Sequence, residues 1–447
     1  MAHPARKSTQ RERLLRGMVD TTNRRGYAGA SVSAVIEEAG VSRPTFYEYF
    51  SDRDDCFRAA IEDTHTRLLG AVEEAIGTAN QGPLETTVDA LVRYASSEPA
   101  RSRFLMGEAM AGGKGALETR DRGITQIATM IEQAMASGPA EAAVPDLEAR
   151  VAIGTAYRMI AKRLRRGEAS ISGLADELLG WLATYERPAR ERRWQELTPG
   201  IAPPASEPLP DLPTQRMPSV LPPGRPRIPE DEIAENHRRR VLYAVAELAE
   251  RNGYTATTVS AITKLARIDG TAFYRLFSDK QEAFAAVHEL CFQQAMDATS
   301  KGFFSVSGED WPRRSWEGAH ALTQLLQANT RLAHVGFVEA YAVGPGAVQR
   351  IEDSHVAFMF FLQEGLLYRD EPAPSRVAME AIIAAIFEIV YLDTRRDGEP
   401  QIASLLAHVA HVWLTPFMGI EEADAFIDAQ RGAARPRRKR AAARRSK

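Results

Sequence analysis

The sequence predicts an all-α protein made of two similar units in tandem. Apolar residues recur at spacings of three and four along most of the chain, as on the buried face of a helix. No turn dipeptide flanked by alternating strands occurs. An internal repeat relates two distant segments. A proline-dense stretch over residues 199–229 lies between them and is typical of an extended spacer.

The internal repeat is clearest in residues 24–57 and 251–284, which align without a gap. Each segment contains Gly-Tyr, then Val-Ser-Ala, then Phe-Tyr and finally Phe-Ser-Asp at matching positions. Weaker matches follow downstream, among them Trp181-Leu182 in the first half and Trp413-Leu414 in the second. The whole unit has therefore been duplicated, not only its first part.

Composition is that of a soluble globular protein, with 44% hydrophobic and 26% charged residues. No apolar run approaches the roughly 20 residues that cross a bilayer, and the basic start lacks the apolar core of a secretory signal. Two cysteines, Cys56 and Cys291, form no disulfide framework. We therefore expect a cytoplasmic, nucleoid-associated protein without a membrane partner.

Motifs of enzymes and metal sites are missing from the sequence. It contains no P-loop, nucleophile elbow, zincin or dinucleotide fingerprint, so we expect neither enzymatic activity nor a cofactor. His408 and His411 lie three residues apart, but no further ligand type clusters nearby in sequence. We expect these histidines to be exposed or to lie at an interface, and we expect no metal site.

The first unit contains the features of a helix-turn-helix. Gly40 suits the left-handed residue just past a helix end, and Ser42 can cap the next helix through its side-chain oxygen. Pro44 fits the first turn of this second helix, which is predicted from about Arg43 to Phe50. In such a motif the second helix enters the major groove of DNA.

The residues of this second helix divide between a core face and an exposed face. Phe46 and Phe50 lie four apart and are expected to pack inward. Arg43, Thr45 and Tyr47 point elsewhere. There Arg43 can hold guanine O6 and N7 in a fork, Thr45 can contact a base edge, and Tyr47 can donate to phosphate.

Together these motifs resemble the DNA-binding domain of the TetR/AcrR family of transcriptional regulators. Gly-Tyr, Val-Ser-x-Val, Ala-Gly-Val-Ser and Phe-Tyr-x-Tyr-Phe followed by Asp-Arg occur in order. The family usually has His and then Lys, both touching phosphate, where this chain has Tyr49 and Arg53. The resemblance implies that the two copies contact DNA through Ser33, Ser42, Arg43, Pro44, Thr45, Tyr47, Tyr49, Arg53, Ser260, Gly270, Thr271, Tyr274 and Lys280.

The second copy departs from the family pattern. Arg267 stands where the turn glycine is expected, and Asp269 and Gly270 stand where the first copy has serine and arginine. Asp269 remains a good helix cap, but its charge opposes phosphate. Leu276 offers no hydrogen-bond donor. We therefore expect the second copy to bind DNA more weakly than the first or to read a different half-site.

Two basic segments are further candidates for DNA contact. Arg225 and Arg227 precede the second copy in an arm of the kind that reaches a minor groove, the alternative being a basic end to the spacer. The tail, residues 431–447, carries clustered cations and no acid, so it either contacts a polyanion or is a solvated, disordered end. Residues 1–10 are expected to form a disordered arm.

The resemblance also implies the domain organisation. Residues 11–57 (head one) and 230–284 (head two) are the DNA-binding domains. Residues 58–198 (body one) and 285–430 (body two) are the helical effector and dimerisation domains. In the family, a small molecule enters the body and moves the heads out of register with the DNA grooves.

Body two is richer in aromatic residues than body one, and such residues can line an apolar cavity. The candidates for binding a small apolar effector are Trp316, Phe337, Tyr341, Phe361 and Tyr391. Core packing is the alternative for each of them. Body one is expected to be mainly architectural.

The function that the resemblance implies is ligand-responsive regulation of transcription, as a repressor bound to a double-stranded operator. The alternative is a helical ligand-binding or scaffolding protein whose heads no longer bind DNA. The family normally forms homodimers. Because both units lie on one chain here, we expect an intramolecular pseudo-dimer, with a homodimer of tandem chains as the alternative.

Overall fold

The computed structural model describes residues 4–78, 82–167, 171, 173–200, 202, 214–221, 228–308, 310–368 and 373–434. Within these residues the chain is almost entirely helical, as predicted. Arg225, Arg227, most of the spacer and the tail beyond residue 434 lie outside the described residues. No helix in the described ranges is both long and apolar enough to span a membrane.

Unit one begins with its head and continues into its body. Its helices are α1 (Pro4–Gly29), α2 (Val32–Ala39), α3 (Arg43–Tyr49), α4 (Arg53–Thr78), α5 (Pro83–Ser97), α6 (Pro99–Met106), α7 (Gly113–Ala136), α8 (Ala149–Arg165) and α9 (Gly173–Ala183). Short 3₁₀ turns lie at Glu108–Ala111 and Ala189–Glu191.

Unit two repeats this order of elements. Its helices are α10 (Glu230–Asn252), α11 (Val259–Ala266), α12 (Gly270–Leu276), α13 (Lys280–Phe304), α14 (Trp311–Ala328), α15 (Thr330–Phe337), α16 (Pro345–Phe358), α17 (Phe360–Gln363), α18 (Arg376–Thr394), α19 (Leu406–Met418) and α20 (Ile420–Ala434). Its 3₁₀ turns lie at Glu339–Ala342, Glu364–Leu367 and Ile402–Leu405.

Each head is a three-helix unit with a small apolar core. In head one the buried side chains come from all three helices: Leu14, Leu15, Met18, Val35 and Phe46. Equivalent positions of head two are buried as well: Val241, Leu242, Val245, Ile262 and Phe273. The long helices α4 and α13 then run from each head into its body.

Two local features differ from the sequence-based expectation. Helix α1 begins at Pro4, so residues 4–10 are helical instead of forming a disordered arm. Proline fits the first turn of a helix, and no helix breaker follows through Gln10. A two-stranded antiparallel sheet joins β1 (Ala143–Pro145) to β2 (Glu186–Pro188). Strands of three residues are too short to show an alternating pattern.

The two bodies pack against each other, with α8 of unit one lying along α18 of unit two. Glu388 on α18 is fully buried and accepts hydrogen bonds from Arg150 (2.7 Å) and Arg158 (2.9 Å) on α8. Further along the same two helices, Lys162 Nζ on α8 lies 2.8 Å from Glu380 Oε2 on α18. Burial alone would raise the pKa of Glu388, but the charges of Arg158 and Arg150 outweigh it and lower that pKa.

A second contact joins the end of body one to α19 and α20. The Tyr185 hydroxyl donates to the Val412 carbonyl at 2.8 Å. Asp424 accepts from Arg187 at 2.6 Å and from Trp194 Nε1 at 2.8 Å. Apolar, polar and ionic contacts thus all cross between the units.

His408 and His411 lie in this second contact. His408 Nε2 is 2.9 Å from the Glu196 carbonyl oxygen, and His411 Nε2 is 2.8 Å from that of Asp146. The Trp194 ring stacks on His411 with centroids 5.0 Å apart. Among the residues described, no group of three or more His, Cys, Asp or Glu side chains forms a metal site.

Candidate nucleic-acid interface

Head one turns between α2 and α3 through a set of side-chain and backbone caps. Helix α2 begins at Val32, and the Ser31 side chain accepts a hydrogen bond from the backbone of its first turn. Gly40 adopts φ 59°, the left-handed conformation that glycine tolerates best. Arg13 on α1 donates to the Gly40 carbonyl at 2.8 Å, and Ser42 caps α3. The turn is therefore fixed before any ligand binds.

The exposed face of α3 carries the residues that we expected to read DNA. Phe46 and Phe50 are buried, as predicted, whereas Tyr47 is 51% exposed. Arg43 is exposed and its Nη2 donates to Ser33 Oγ at 2.7 Å. The structure thus brings Arg43, Tyr47 and the start of α2 onto one surface, from which a cation and two hydroxyl groups point outward.

Arg53 and Tyr49 are less free than the residues of that surface. The Arg53 guanidinium lies 4.2 Å from the centroid of the Tyr27 ring and donates to its hydroxyl at 2.8 Å. Burial raises the pKa of Tyr27 to about 12, so this phenol remains protonated at neutral pH. Tyr49 is half-buried, with its hydroxyl 3.5 Å from Gln10 on α1. Both side chains help to hold head one together.

Head two has the same turn geometry with different residues. Arg267 adopts φ 52° and is the one non-glycine residue of the described ranges with positive φ. Arg240 donates to its carbonyl at 3.1 Å, as Arg13 does in head one. Asp269 caps α12 by accepting from the Ala272 backbone at 2.7 Å. Head two therefore keeps the turn although it lacks the turn glycine.

The exposed surface of head two differs in chemistry. Tyr274 is 60% exposed, and Ser260, Gly270 and Thr271 are exposed beside it. Lys280 Nζ instead donates to two backbone carbonyls of the head, at 2.9 and 3.1 Å, and burial lowers its pKa. This surface has a tyrosine at the position of Tyr47 but no side chain at the position of Arg43.

Comparison with known proteins agrees with this geometry. The family model described as "Bacterial regulatory proteins, tetR family" matches residues 16–60 and, again, residues 241–287. Each head therefore matches the N-terminal domain of the TetR family. Each matched range contains one helix-turn-helix motif, so the chain matches this N-terminal domain twice.

One curated relative is the uncharacterized HTH-type transcriptional regulator YdgC of Bacillus subtilis (strain 168). It is 33% identical over 66 residues, which are 15% of this chain and 34% of that protein. The chain thus matches about a third of the length of this relative. Among solved structures, the fatty acid degradation regulator FadR from Bacillus halodurans is 14% identical, with a TM-score of 0.34. The match covers 38% of this chain and 97% of that one.

Body two contains a cavity whose walls are almost entirely apolar. It lies among α13 to α16, α18 and α19. Its lining includes Phe337, Phe292, Ile351, Phe358, Ile383 and Trp413. The sequence did not single out most of these residues, because each is an ordinary apolar position of an amphipathic helix.

Only Phe337, of the five aromatic residues predicted to bind effector, lies in the described wall of this cavity. Trp316 packs against Phe426, and Phe361 packs against Phe303 and Phe358. The other two lie between the units. The Tyr341 hydroxyl accepts from Arg158 at 2.6 Å, and the Tyr391 hydroxyl donates to Asp121 at 2.9 Å. Core and interface packing therefore explain four of the five.

Proposed function

We propose that the chain is a DNA-binding transcriptional regulator in which one molecule supplies both heads of a pseudo-dimer. The observation that carries the proposal is the pair of exposed recognition helices, α3 and α12, each fixed by the same caps. Both are mounted on bodies that pack against each other through buried ion pairs. A family homodimer places two heads on DNA in this way with two chains.

Charge complementarity supports pairing of unit one with unit two. The interface face of α8 carries Arg150, Arg158 and Lys162, and that of α18 carries Glu380 and Glu388. If two copies of unit one paired through α8, buried cations would face cations, and two copies of unit two would bring buried carboxylates together. Either arrangement leaves charges without counter-ions in a dry interface, which is costly. The tether adds an effective concentration of about millimolar.

The test of the pseudo-dimer is the mass of the chain in solution. Light scattering should give the mass of one chain, and the chain should remain one particle after a protease cuts a cleavage site placed within residues 203–213. A dimeric mass would instead support the homodimer of tandem chains. Separation of the two halves after cleavage would contradict a stable interface between units.

The test of DNA binding is selection of duplexes from a random pool, followed by affinity measurements over a range of salt. Arg43→Ala should lose about 1–3 kcal/mol of discrimination at one base position, if Arg43 is bidentate to guanine. Tyr47→Phe should weaken all sequences alike. Arg93→Ala, an exposed cation of body one, is the matched control. Affinity that neither depends on salt nor selects a sequence would favour the scaffolding alternative with vestigial heads.

The proposal extends to a small apolar effector in body two. Helix α15 connects the cavity with head two at both of its ends. At its C-terminal end, Phe337 lines the cavity, and two residues later buried Glu339 accepts from the Tyr254 backbone at 2.7 Å. At its other end, Arg331 pairs with Glu247 of α10 at 2.6 Å. A ligand that displaces Phe337 therefore pulls on two contacts with the head.

Effector release of DNA, the behaviour of a repressor, can be tested with the neutral fluorescent probe N-phenyl-1-naphthylamine. The probe should bind wild type and lower its affinity for a selected duplex. Phe337→Ala should weaken probe binding, and Glu339→Gln should keep probe binding but weaken its effect on DNA. If the probe binds in the cavity and DNA affinity does not change in wild type, the coupling through α15 is wrong.

A further inference from the structure

Body one contains a cluster of buried polar groups that lack hydrogen-bond partners. Arg120 on α7 is fully buried, and its Nε and Nη2 have no partner within the described residues. The hydroxyl of buried Tyr157 on α8 has none either, and the buried His65 ring on α4 interacts with the Arg120 backbone beside them. Buried polar groups are nearly always hydrogen-bonded, so such a group points to a missing partner.

These three side chains lie together where α4, α7 and α8 meet. The His65 and Tyr157 rings stack with centroids 6.3 Å apart. The Arg120 guanidinium carbon is 5.6 Å from the Tyr157 ring centroid. Gly123 provides the space, because a Cβ atom there would lie 2.5 Å from the His65 ring. The three side chains therefore form one cluster within this core.

The internal repeat relates this cluster to the cavity of body two. Helices α4 and α13 begin at matching positions of the gapless head repeat. Gly113 and Gly344 mark the starts of α7 and α16, with φ of 74° and 128°. Arg-Val-Ala occurs at 150–152 in α8 and at 376–378 in α18. Counting along the helices from these three alignment points shows which positions of the two bodies are equivalent. His65 corresponds to Phe292, Arg120 to Ile351 and Tyr157 to Ile383.

All three partners in body two line its apolar cavity. The same place in the fold is therefore apolar in one unit and rich in hydrogen-bond donors in the other. Core packing alone does not require this exchange, since apolar residues fill the equivalent place in body two. An arginine in a core, with two unpartnered N–H groups, costs stability unless something binds it.

The surrounding charges leave this region short of negative charge. The two carboxylates of Asp121 and Glu388 are shared by four guanidinium groups, those of Arg120, Arg150, Arg158 and Arg395. Glu148 also faces Arg150, but burial raises its pKa to about 7, so that at neutral pH it is about half protonated. A further anion would balance the cluster.

We propose that body one binds a small organic carboxylate at this cluster, with Arg120 as the principal contact. Arg120 Nε and Nη2 form one side of the guanidinium fork, which matches the two oxygens of a carboxylate. The Tyr157 hydroxyl is an additional donor. Burial and the charge of Arg120 lower the pKa of His65 to about 3, so this ring is neutral and adds no positive charge to the site. The site is closed, and the helices must part to admit a ligand.

This site is separate from the apolar effector site of body two, and it gives body one a sensing role. The chain would then accept two chemically different ligands, one in each unit. Asp121 connects the site with the other unit, because it contacts Arg120 and accepts from Tyr391 of α18. A carboxylate that draws Arg120 away from Asp121 would alter that inter-unit contact.

The experiment is calorimetric titration of the full chain with benzoate and with octanoate, each beside its neutral amide. Wild type should bind at least one of the acids about tenfold more tightly than its amide, since charge-assisted bonds to a guanidinium contribute more than 1.4 kcal/mol. Arg120→Gln should abolish this preference, and Tyr157→Phe should reduce binding of the acid severalfold. Both variants should still bind N-phenyl-1-naphthylamine in body two, which checks their fold.

Three outcomes would overturn the assignment. These are no binding of either acid at millimolar concentration, equal binding of acid and amide, and an acid preference that survives in the folded Arg120→Gln variant. In the first case buried waters are the missing partners. None of these outcomes bears on DNA binding by the heads, which is measured without any ligand.

Discussion

Replacing Glu388 with glutamine should destabilise the chain strongly, because this carboxylate is the shared partner of two buried arginines. Glu388 is fully buried and lies 2.7 Å from Arg150 Nη1 and 2.9 Å from Arg158 Nε. Glutamine keeps the shape of the side chain but removes its charge, and its NH₂ group must face a guanidinium. Two cations then remain in the interface without the counter-ion they share.

The expected loss follows from the burial of all three groups. Removing one partner of a buried ion pair typically costs about 3–5 kcal/mol, since the remaining charge is left uncompensated. With a urea slope of about 2–3 kcal/mol per molar, the unfolding midpoint should fall by roughly 1–2 M. Glu118→Gln is the matched control, since Glu118 is half exposed and lies 4.0 Å from Lys114. Its expected cost is within about 0.5 kcal/mol.

Urea unfolding followed by tryptophan fluorescence is a suitable assay, because Trp194 lies in the contact between units and reports on their separation. Far-ultraviolet circular dichroism follows the helices in parallel. If Glu388→Gln and Glu118→Gln shift the midpoint equally, the buried pairs do not hold the units together in solution. A fluorescence change that precedes loss of helix would show that the units separate before they unfold.

Four further predictions concern the heads, the tail and pH. Arg267→Gly should raise the stability of head two in urea by about 1 kcal/mol by removing left-handed strain, and an unchanged midpoint would contradict that strain. The operators selected by wild type should be asymmetric, and exchanging residues 269–277 for residues 42–50 should make the selected operators palindromic. If a monomeric wild-type chain selects palindromes, the two heads do not read different half-sites. Deleting residues 435–447 should flatten the salt dependence of duplex affinity, and the same slope would show no contact. The pKa of Glu388 in the folded protein is lowered from 4.5, so the stability that its charge adds should be complete above pH 4.5 and lost as the pH falls through the folded pKa. The Glu388→Gln variant should not show this acid-induced loss of stability.

The heads could be predicted from the sequence because their signals are local. Gly40, Ser42 and Pro44 act within a few residues of where they stand, and the second copy confirmed the spacing. Even Arg267 was identified as a departure, and the structure gives it the conformation of the glycine it replaces. Turn chemistry of this kind depends little on the rest of the chain.

The interface and the proposed effector sites depend on contacts between distant residues, and the sequence alone could not assign them. Tyr341 and Tyr391 resemble cavity residues in composition, yet they bind charged groups of the other unit. Nothing near Glu388 in sequence identifies Arg150, which is 238 residues away. Arg120 has no motif around it. Its proposed role in binding a carboxylate follows only when its position is compared with the cavity of the second unit.

The heterotypic packing of α8 on α18 has a consequence for how such a protein can evolve. The separate subunits of related dimers can exchange partners. Each exchange combines the ligand-binding domain of one regulator with the DNA-binding domain of another. A chain whose halves recognise each other by opposite charge keeps its own partner at every generation. When partners are no longer exchanged, neither half needs to keep the ability to pair with a copy of itself. Each half is then free to diverge, and under the two proposals above one chain would combine two ligand signals at a single stretch of DNA.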